Sequence, residues 1–430
     1  MFTILAANTT SYRFILLLSL MILLGLFVGR FFERRKIPNL TGYVLIGLVF
    51  GALLVLTGQS EIISAFSVLI NVAIGFIAFS IGLELNFKKI KNRSREVFIV
   101  TFFQAIFAFG LTFLALYILV LPLHIALLIG SLAIATEPGP ILLITKKLHA
   151  HGPLTDTLVP LHGVEDGITI FIFGVSLSYA LSIETGTAFT FSEILWGPIA
   201  EIFFSVVIAI AIGYVFMRII KFLKYEDAEK DLVVLVSAFV AIMISIAIAN
   251  SGFVLFHHHI HLSPILLPMV AGITFSNLST DLAKHETEHS IDQFSGPILI
   301  AFFTILGAEI VILIAQSIST LNLWLIGATV LIYVLFRLFG KLIGSYLGGK
   351  LANSKPIVRR YLGFCLLPQA QAAIGLAFYA HTQFGSNTYG TVILVTILIA
   401  SVINELFGPL GLRYAVTHCN GKDGQSCEIL

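Results

Sequence analysis

The sequence predicts an all-α polytopic membrane protein with about 13 transmembrane helices, arranged as two inverted repeats with two crossing discontinuous helices. Composition, the spacing of the apolar runs and a pair of helix breaks predict it. Of the 430 residues, 58% are hydrophobic and 11% are charged, and the mean hydropathy is +1.00. A soluble domain of this length needs far more charge to cover its surface, so the composition excludes a soluble globular protein.

The apolar runs recur from one end of the chain to the other. Each is about 20 residues long, which is enough to cross a hydrocarbon core of about 30 Å as a helix. The first run has no basic segment before it and no clear cleavage site, so we expect it to remain as a helix. The predicted spans cover residues 12–30, 38–57, 61–85, 96–120, 122–146, 153–182, 193–220, 231–251, 262–277, 292–318, 323–349, 357–381 and 389–412.

The short loops between the spans alternate in charge. One set holds nearly all the lysines and arginines, and the opposite set holds almost none, with Arg13 as the exception. Because positively charged loops remain in the cytoplasm, the pattern predicts a multi-pass protein of the cell membrane. It also predicts an odd number of spans, an N-terminus outside and a C-terminus in the cytoplasm.

Two predicted spans contain helix-breaking residues. The fifth span carries the sequence ATEPGP at residues 135–140, and the twelfth carries LPQAQ at residues 367–371. Proline inside a helix removes a hydrogen bond, and the freed backbone must line a cavity or be buried in protein. The polar and proline residues of the two breaks are Thr136, Glu137, Pro138, Pro140, Pro368, Gln369 and Gln371.

The two breaks fall in the fifth span of each of two six-span halves. We therefore predict a first inverted repeat at residues 1–192, a linker helix at 193–225, a second repeat at 226–415 and a short cytoplasmic tail at 416–430. Interrupted spans at corresponding places of two halves indicate a transporter binding site. The alternative is that the two helices are kinked for unrelated reasons.

Two adjacent acids, Glu165 and Asp166, lie midway along the sixth span. Charge inside a span costs roughly 2.5–3.5 kcal/mol on insertion scales, so an intramembrane acid needs a reason. Two carboxylates this close cannot both ionise cheaply without a cation or a proton, which makes cation and proton alternative occupants of one site. The competing interpretation is a buried pair that holds helices together through a basic partner.

The eleventh span carries Arg337 and Lys341 on one helix face. We expect Lys341 to pair with an acid of span six and to take part in proton coupling, because a buried lysine changes its protonation readily. Arg337 is expected to form a fixed ion pair, with Glu84 as the candidate partner. His162, four residues before Asp166, is either a proton relay or a polar histidine of the cavity wall.

Four stretches together resemble a known family. They are ATEP at 135–138, GPLTDT at 152–157 leading to the acid pair, RLFGK at 337–341, and VRRYLG at 358–363 with LLPQA at 366–370. In these motifs the chain is similar to the monovalent cation/proton antiporter superfamily, in its second branch, over essentially its whole length. That branch includes bacterial sodium/proton antiporters and the transport units of potassium-efflux systems.

The resemblance implies a fold, a mechanism and a site. It implies a homodimer in which spans 1–3 and 8–10 form the dimerisation domain, while spans 4–6 and 11–13 form a mobile core that moves as an elevator. It implies that Asp166 is the principal ion ligand, that Glu165 pairs with Lys341, and that Thr136 lies near the ion. This chain departs from the family in its Glu-Asp pair, in Glu137 and in Gln371.

The resemblance further implies exchange of Na⁺, K⁺ or Li⁺ for H⁺ across the lipid bilayer, in support of pH and cation homeostasis. A potassium-efflux transporter and a cation channel-like unit are the nearest alternatives. A membrane metalloprotease is a remote one, which rests on the H-E-x-x-H pattern from His285 to His289. We predict that this pattern, like the histidines at 257–261, lies in a loop. No cofactor, no enzyme activity and no nucleic-acid partner are expected.

Overall fold

The computed structural model describes residues 2–35, 39–59, 62–63, 66–84, 94–137, 150–186, 191–222, 230–250, 254–255, 258–259, 262, 266–317, 323–385, 388–418 and 428–429. Over these residues the chain is almost wholly helical. The helices are α1 (Phe2–Arg34), α2 (Asn39–Leu56), α3 (Ser67–Glu84), α4 (Ser94–Leu119), α5 (Leu123–Leu132), α6 (Pro153–Thr185), α7 (Phe191–Phe222), α8 (Lys230–Asn250), α9 (Leu266–Leu278), α10 (Asp281–Ser317), α11 (Leu323–Leu351), α12 (Pro356–Cys365), α13 (Gln371–Phe384) and α14 (Thr388–His418).

The extended structure in the described ranges is limited to four strands of two residues. Strands β1 (Ala150–His151) and β4 (Glu428–Ile429) pair with each other in antiparallel orientation. Strands β2 (Val254–Leu255) and β3 (His258–His259) form a second antiparallel pair. Such short pairs do not build a sheet core, so the fold class is all-α.

Eight of the described helices are long and apolar enough to cross a membrane. They are α1, α2, α4, α6, α7, α10, α11 and α14, and four shorter apolar helices accompany them. Many large apolar side chains on these helices face outward, as expected for surfaces covered by lipid rather than water. The predicted class of polytopic α-helical membrane protein is confirmed.

The helices pack as two groups. The first, which we call the scaffold group, consists of α1, α2, α3, α7, α8, α9 and α10, with α2 against α10 and α9 against both α3 and α7 as its main internal contacts. The second, the core group, consists of α4, α5, α6 and α11 to α14, with α4 against α11 as its main contact. Fewer contacts join the groups, and they run mainly between α6 and α7, α3 and α13, and α14 and both α2 and α10.

Close helix crossings in the scaffold group recur at a fixed sequence offset. A side chain at Gly47 of α2 would collide with the carbonyl oxygen of Thr304 of α10. A side chain at Gly272 of α9 would collide in the same way with the carbonyl oxygen of Phe79 of α3. Positions 47 and 272, and positions 79 and 304, both differ by 225.

The opposite partners of these crossings obey the same offset. Gly307 of α10 packs on the carbonyl oxygen of Val44, and Gly82 of α3 packs on the carbonyl oxygen of Met269. Positions 82 and 307, and positions 44 and 269, again differ by 225. The contact between α2 and α10 is therefore repeated, in the same register, by the contact between α9 and α3.

Helix α10 corrects one prediction from the sequence. The pattern from His285 to His289 lies inside this helix, which begins at Asp281, and not in a loop. The connection between α9 and α10 consists of Ser279 and Thr280 only. The charged residues at 281–290 lowered the hydropathy of this stretch, although charged residues form helix readily outside the apolar core.

Candidate ion-binding site

The two predicted helix breaks lie together inside the core group. Helix α5 ends at Leu132, and the chain continues without helix to Glu137; the residues 138–149, including Pro138, lie outside the described part. Helix α12 ends at Cys365, and residues 366–370 are non-helical before α13 begins. The N–H of Glu137 donates to the carbonyl oxygen of Pro368 at 3.0 Å, so the two breaks meet through their backbones.

Arg337 of α11 supplies donors to both breaks. Its side chain is only 1% exposed, and its Nη1 and Nη2 atoms donate to the carbonyl oxygens of Leu367 and Ala135, each at 2.8 Å. Broken helices leave carbonyl groups without intrahelical donors, and a guanidinium can satisfy several of them in one plane. The predicted partner Glu84 ends α3, but its side chain lies outside the described part, so that pair stays a prediction.

Gln369 fills the second break with a neutral hydrogen-bond network. Its Nε2 donates to the carbonyl oxygen of Leu132 at 2.7 Å and to the Tyr333 hydroxyl at 2.8 Å. Asn404 of α14 donates from Nδ2 to Gln369 Oε1 at 3.0 Å. Sequence reasoning did not assign Tyr333, although it lies one turn before Arg337 on the same face of α11.

Lys341 of α11 fills the first break with a charged network. Its buried ammonium donates to Glu165 Oε1 at 2.7 Å, to Thr136 Oγ1 at 2.8 Å and to the carbonyl oxygen of Ile134. The Thr136 hydroxyl in turn donates to Glu165 Oε1 at 2.5 Å. Three oxygen atoms therefore surround one monovalent positive charge, and oxygens are the ligands that hard cations prefer.

Asp166 lies beside this network but faces another space. Its side chain is 5% exposed and lines a small, partly open cavity between the core and scaffold groups. The wall is otherwise mostly apolar, with Thr169 as a second polar residue. The remaining lining residues come from α3, α6, α9 and α13 and are Ile74, Ile77, Ala78, Ile170, Met269, Ala372, Gly375 and Leu376.

The other predicted site residues are placed as follows. His162 is buried one turn before Asp166, and neither ring nitrogen has a hydrogen-bond partner in the described part of the chain. Glu137 is buried at the first break. Gln371 is the first residue of α13, but its side chain lies outside the described part. The structure thus brings Thr136, Glu165 and Lys341 into direct contact.

A metalloprotease site has no support in this arrangement. Among the described residues, no three His, Cys, Asp or Glu side chains are grouped as metal ligands would be. The side chains of His285, Glu286 and His289 lie outside the described part. The histidine pattern is now known to be helical, but a zinc site also needs a third ligand and a cleft.

Comparison with known proteins identifies the family of this chain. The family model described as "Sodium/hydrogen exchanger, transmembrane" matches residues 17–408. The Na(+)/H(+) antiporter NhaH of Halobacillus dabanensis is 25% identical, over 73% of this chain and 75% of that protein. The ammonium/H(+) antiporter subunit AmhT of Alkalihalophilus pseudofirmus is 22% identical, over 90% of this chain and 92% of that protein.

Solved structures share the architecture. That of the sodium proton antiporter MjNhaP1 from Methanocaldococcus jannaschii superposes with a TM-score of 0.73, over 95% of this chain and 99% of that one, at 16% identity. This likeness extends the agreement from sequence motifs to the whole fold. The chain therefore belongs to the sodium/hydrogen exchanger family of monovalent cation/proton antiporters, which are secondary transporters and not enzymes.

Proposed function

We propose that the protein exchanges a monovalent cation, Na⁺ first and K⁺ or Li⁺ as related substrates, for H⁺ at a site formed by Asp166 and Glu165. The observation that carries the proposal is the set of oxygen atoms that accept hydrogen bonds from the Lys341 ammonium. This set, which we call the oxygen cradle, adjoins a cavity lined by Asp166. The cradle already holds one positive charge, and the neighbouring carboxyl is reached from the cavity. Cation and proton then compete for the same pair of acids.

Charge balance gives the order of events. In the described state the Lys341 ammonium neutralises Glu165 at 2.7 Å. A cation that enters the cavity and binds Asp166 adds a second positive charge close to Lys341, in a region of low dielectric constant. Repulsion then favours loss of a proton from Lys341, and departure of the cation favours its return. Each cation bound is thereby linked to protons released on the same side.

Alternating access follows from the division into two groups. We propose that the core group, with spans 4–6 and 11–13, moves as an elevator against spans 1–3 and 8–10 of the scaffold group. The Asp166 cavity lies at their boundary, and the boundary has fewer contacts than either group has internally. The outward-facing apolar side chains of α1, such as Leu16 and Phe27, suit a homodimer contact or lipid.

The repeat offset supports the predicted architecture of two halves. Contacts between α2 and α10 recur between α9 and α3 at the single offset of 225 residues, as two inverted repeats at 1–192 and 226–415 around a linker at 193–225 require. The loop charges support an external N-terminus and a cytoplasmic C-terminus in the cell membrane. The exchange would serve pH and cation homeostasis.

Ammonium is a second candidate substrate. The specific observation that favours it is that the cradle holds an alkylammonium group, the Lys341 side chain, through hydrogen bonds to three oxygen atoms. The relative AmhT is named as an ammonium/H(+) antiporter subunit. An ammonium ion donates hydrogen bonds as Lys341 does, whereas Na⁺ needs oxygen atoms at shorter distances and donates none.

A flux assay in proteoliposomes tests the proposal. Purified protein, with a fluorescent pH indicator trapped inside, receives Na⁺, K⁺, Li⁺ or NH₄⁺ outside, with the membrane potential clamped. We expect saturable proton movement with at least one cation in the wild type, and the signal of empty liposomes with Asp166→Asn. Undiminished exchange by Asp166→Asn would remove the site assignment, and electrical current without coupled proton movement would indicate a channel.

A further inference from the structure

Helix α14 carries a buried acid, Glu405, that the proposed exchange does not use. The Glu405 side chain is 6% exposed, and its Oε2 atom is buried without a hydrogen-bond partner in the described part of the chain. Among the described residues, no lysine, arginine or histidine forms an ion pair with it. A carboxylate in such surroundings is strongly disfavoured, so the group is stable there when it carries a proton.

The backbone of α14 around Glu405 packs closely against the place where the two breaks cross. Gly408 lies so close to the second break that an added Cβ would be 2.6 Å from the nitrogen of Pro368. Asn404 donates a hydrogen bond to the same break. Glu405 lies between these two contacts, and the carbonyl oxygen of Pro368 accepts the N–H of Glu137. The helix thus holds Glu405 beside the segment that bears a second acid.

The two acids interact. The carboxyl of Glu405 lies within electrostatic range of the carboxyl of Glu137, which is itself 6% exposed. Two carboxyl groups so placed are more stable with one of them protonated than with both ionised. The nearest cations on α11 are engaged elsewhere, because Arg337 donates to backbone carbonyls and Lys341 donates to Glu165.

Other titratable groups lie on the helices that pack against α14, most of them beside its ends rather than beside Glu405. His124 and His381 lie beside Tyr389 and Gly390, in the first turn of α14, and Tyr361 lies beside Tyr414 in its last turns. Glu309 is carried by α10, which also packs on α14. None of them supplies a positive charge to Glu405 in the described structure.

Glu405 also resembles Asp166 in its local setting, although the two are not at equivalent positions of the repeat. Each is the second residue of an adjacent polar pair in the helix that follows a broken span. In each pair the first residue, Glu165 or Asn404, bonds to the break just before its own helix. The second residue of one pair is the proposed ion ligand. Glu405 likewise follows a residue that is hydrogen-bonded to a break, so it too lies close to the crossing of the breaks.

We propose that Glu405 is a second proton-binding site of the core group, separate from Glu165 and Asp166, and that its protonated carboxyl lies within electrostatic range of Glu137. The ligand is a proton. When Glu405 loses this proton at alkaline pH, Glu405 and Glu137 place two negative charges where the breaks cross. Their repulsion slows the movement of the core group. The proposal rests on the proposed exchange only for this effect on transport, and not for the binding of the proton.

Infrared spectroscopy of the purified protein in liposomes tests the proton directly. We expect the wild type at neutral pH to show a protonated-carboxyl band that Glu405→Gln lacks. The matched control is Glu33→Gln, which removes an exposed glutamate near the end of α1 and should leave the band unchanged. An identical band in wild type and Glu405→Gln overturns the proposal, whether or not the protein exchanges sodium.

Two further measurements test the pairing with Glu137 and the effect on transport separately. In Glu137→Gln the neighbouring charge is absent, so the pH at which the Glu405 band disappears should be lower than in the wild type; an unchanged pH would refute the pairing. In the flux assay we expect exchange by the wild type to decline at alkaline pH, and exchange by Glu405→Gln, which mimics the protonated group, to decline less. A wild type without this decline, or a decline of equal size in both, would refute the effect on transport.

Discussion

The two breaks have the same architecture but different chemistry. At the first, Thr136, Glu165 and Lys341 form a charged network around three oxygen acceptors. At the second, Gln369 makes neutral bonds to its neighbours on α11 and α14 and to the end of α5. Both networks satisfy backbone that the breaks leave without partners, yet only the first can change its charge. The comparison teaches that, under the proposed exchange, the charged junction takes part in coupling while the neutral one holds the two breaks together.

Removing the acid of the charged junction should have the largest effect. Glu165→Gln leaves the Lys341 ammonium buried without its carboxylate, and breaking such a pair typically costs about 3–5 kcal/mol. We expect cation-driven proton flux at the level of empty liposomes, together with a clear loss of thermal stability in detergent. Normal flux with normal stability would show that the junction is not ionic in the working protein.

Fixing the charge of the junction should separate stability from transport. Lys341→Arg keeps a positive group beside Glu165 but removes a proton that can be released, because arginine stays charged at every working pH. Transport should fall strongly while thermal stability changes less than in Glu165→Gln. Lys341→Ala should change the pH profile of the remaining flux. If the arginine variant exchanged ions like the wild type, Lys341 would have no part in coupling.

Removing the neutral junction should cost stability alone. Gln369→Leu leaves the carbonyl oxygen of Leu132 and the Tyr333 hydroxyl without their donor, and an unsatisfied buried polar group costs about 1–3 kcal/mol. The melting temperature should fall, while the pH profile of exchange in the surviving protein keeps its shape. A shifted pH profile would mean that the second junction also titrates.

The repeat register predicts the smallest effect. Ser276 of α9 donates to the carbonyl oxygen of Leu83 at 2.7 Å, and the equivalent positions of the other half, 225 residues away, are Gly51 and Ala308, where glycine packs on the carbonyl directly. Ser276→Ala should therefore be tolerated at about 0.5–1.5 kcal/mol, the net value of one hydrogen bond. A loss several times larger would show that the two crossings are not equivalent.

Much of this arrangement followed from the sequence because the membrane imposes simple rules. Apolar run length predicted the helices, and proline at mid-span predicted both breaks. Contacts across helices were harder, because periodicity gives the face of a helix but not the neighbour it meets. The bonds of Arg337 to backbone carbonyls, and those of Gln369 to Tyr333 and Asn404, had no local signal in the sequence. The pair of Arg337 with Glu84 stays a prediction.

Cation-induced proton release from the purified protein is the most direct test of the central claim. In weakly buffered detergent solution, adding Na⁺ to the wild type should release protons in a saturable manner, whereas Asp166→Asn should release none. The neutral-junction variant Gln369→Leu should release as many protons per folded molecule as the wild type. Equal release from the wild type and Asp166→Asn would contradict the account, because cation and proton would then not compete at this acid.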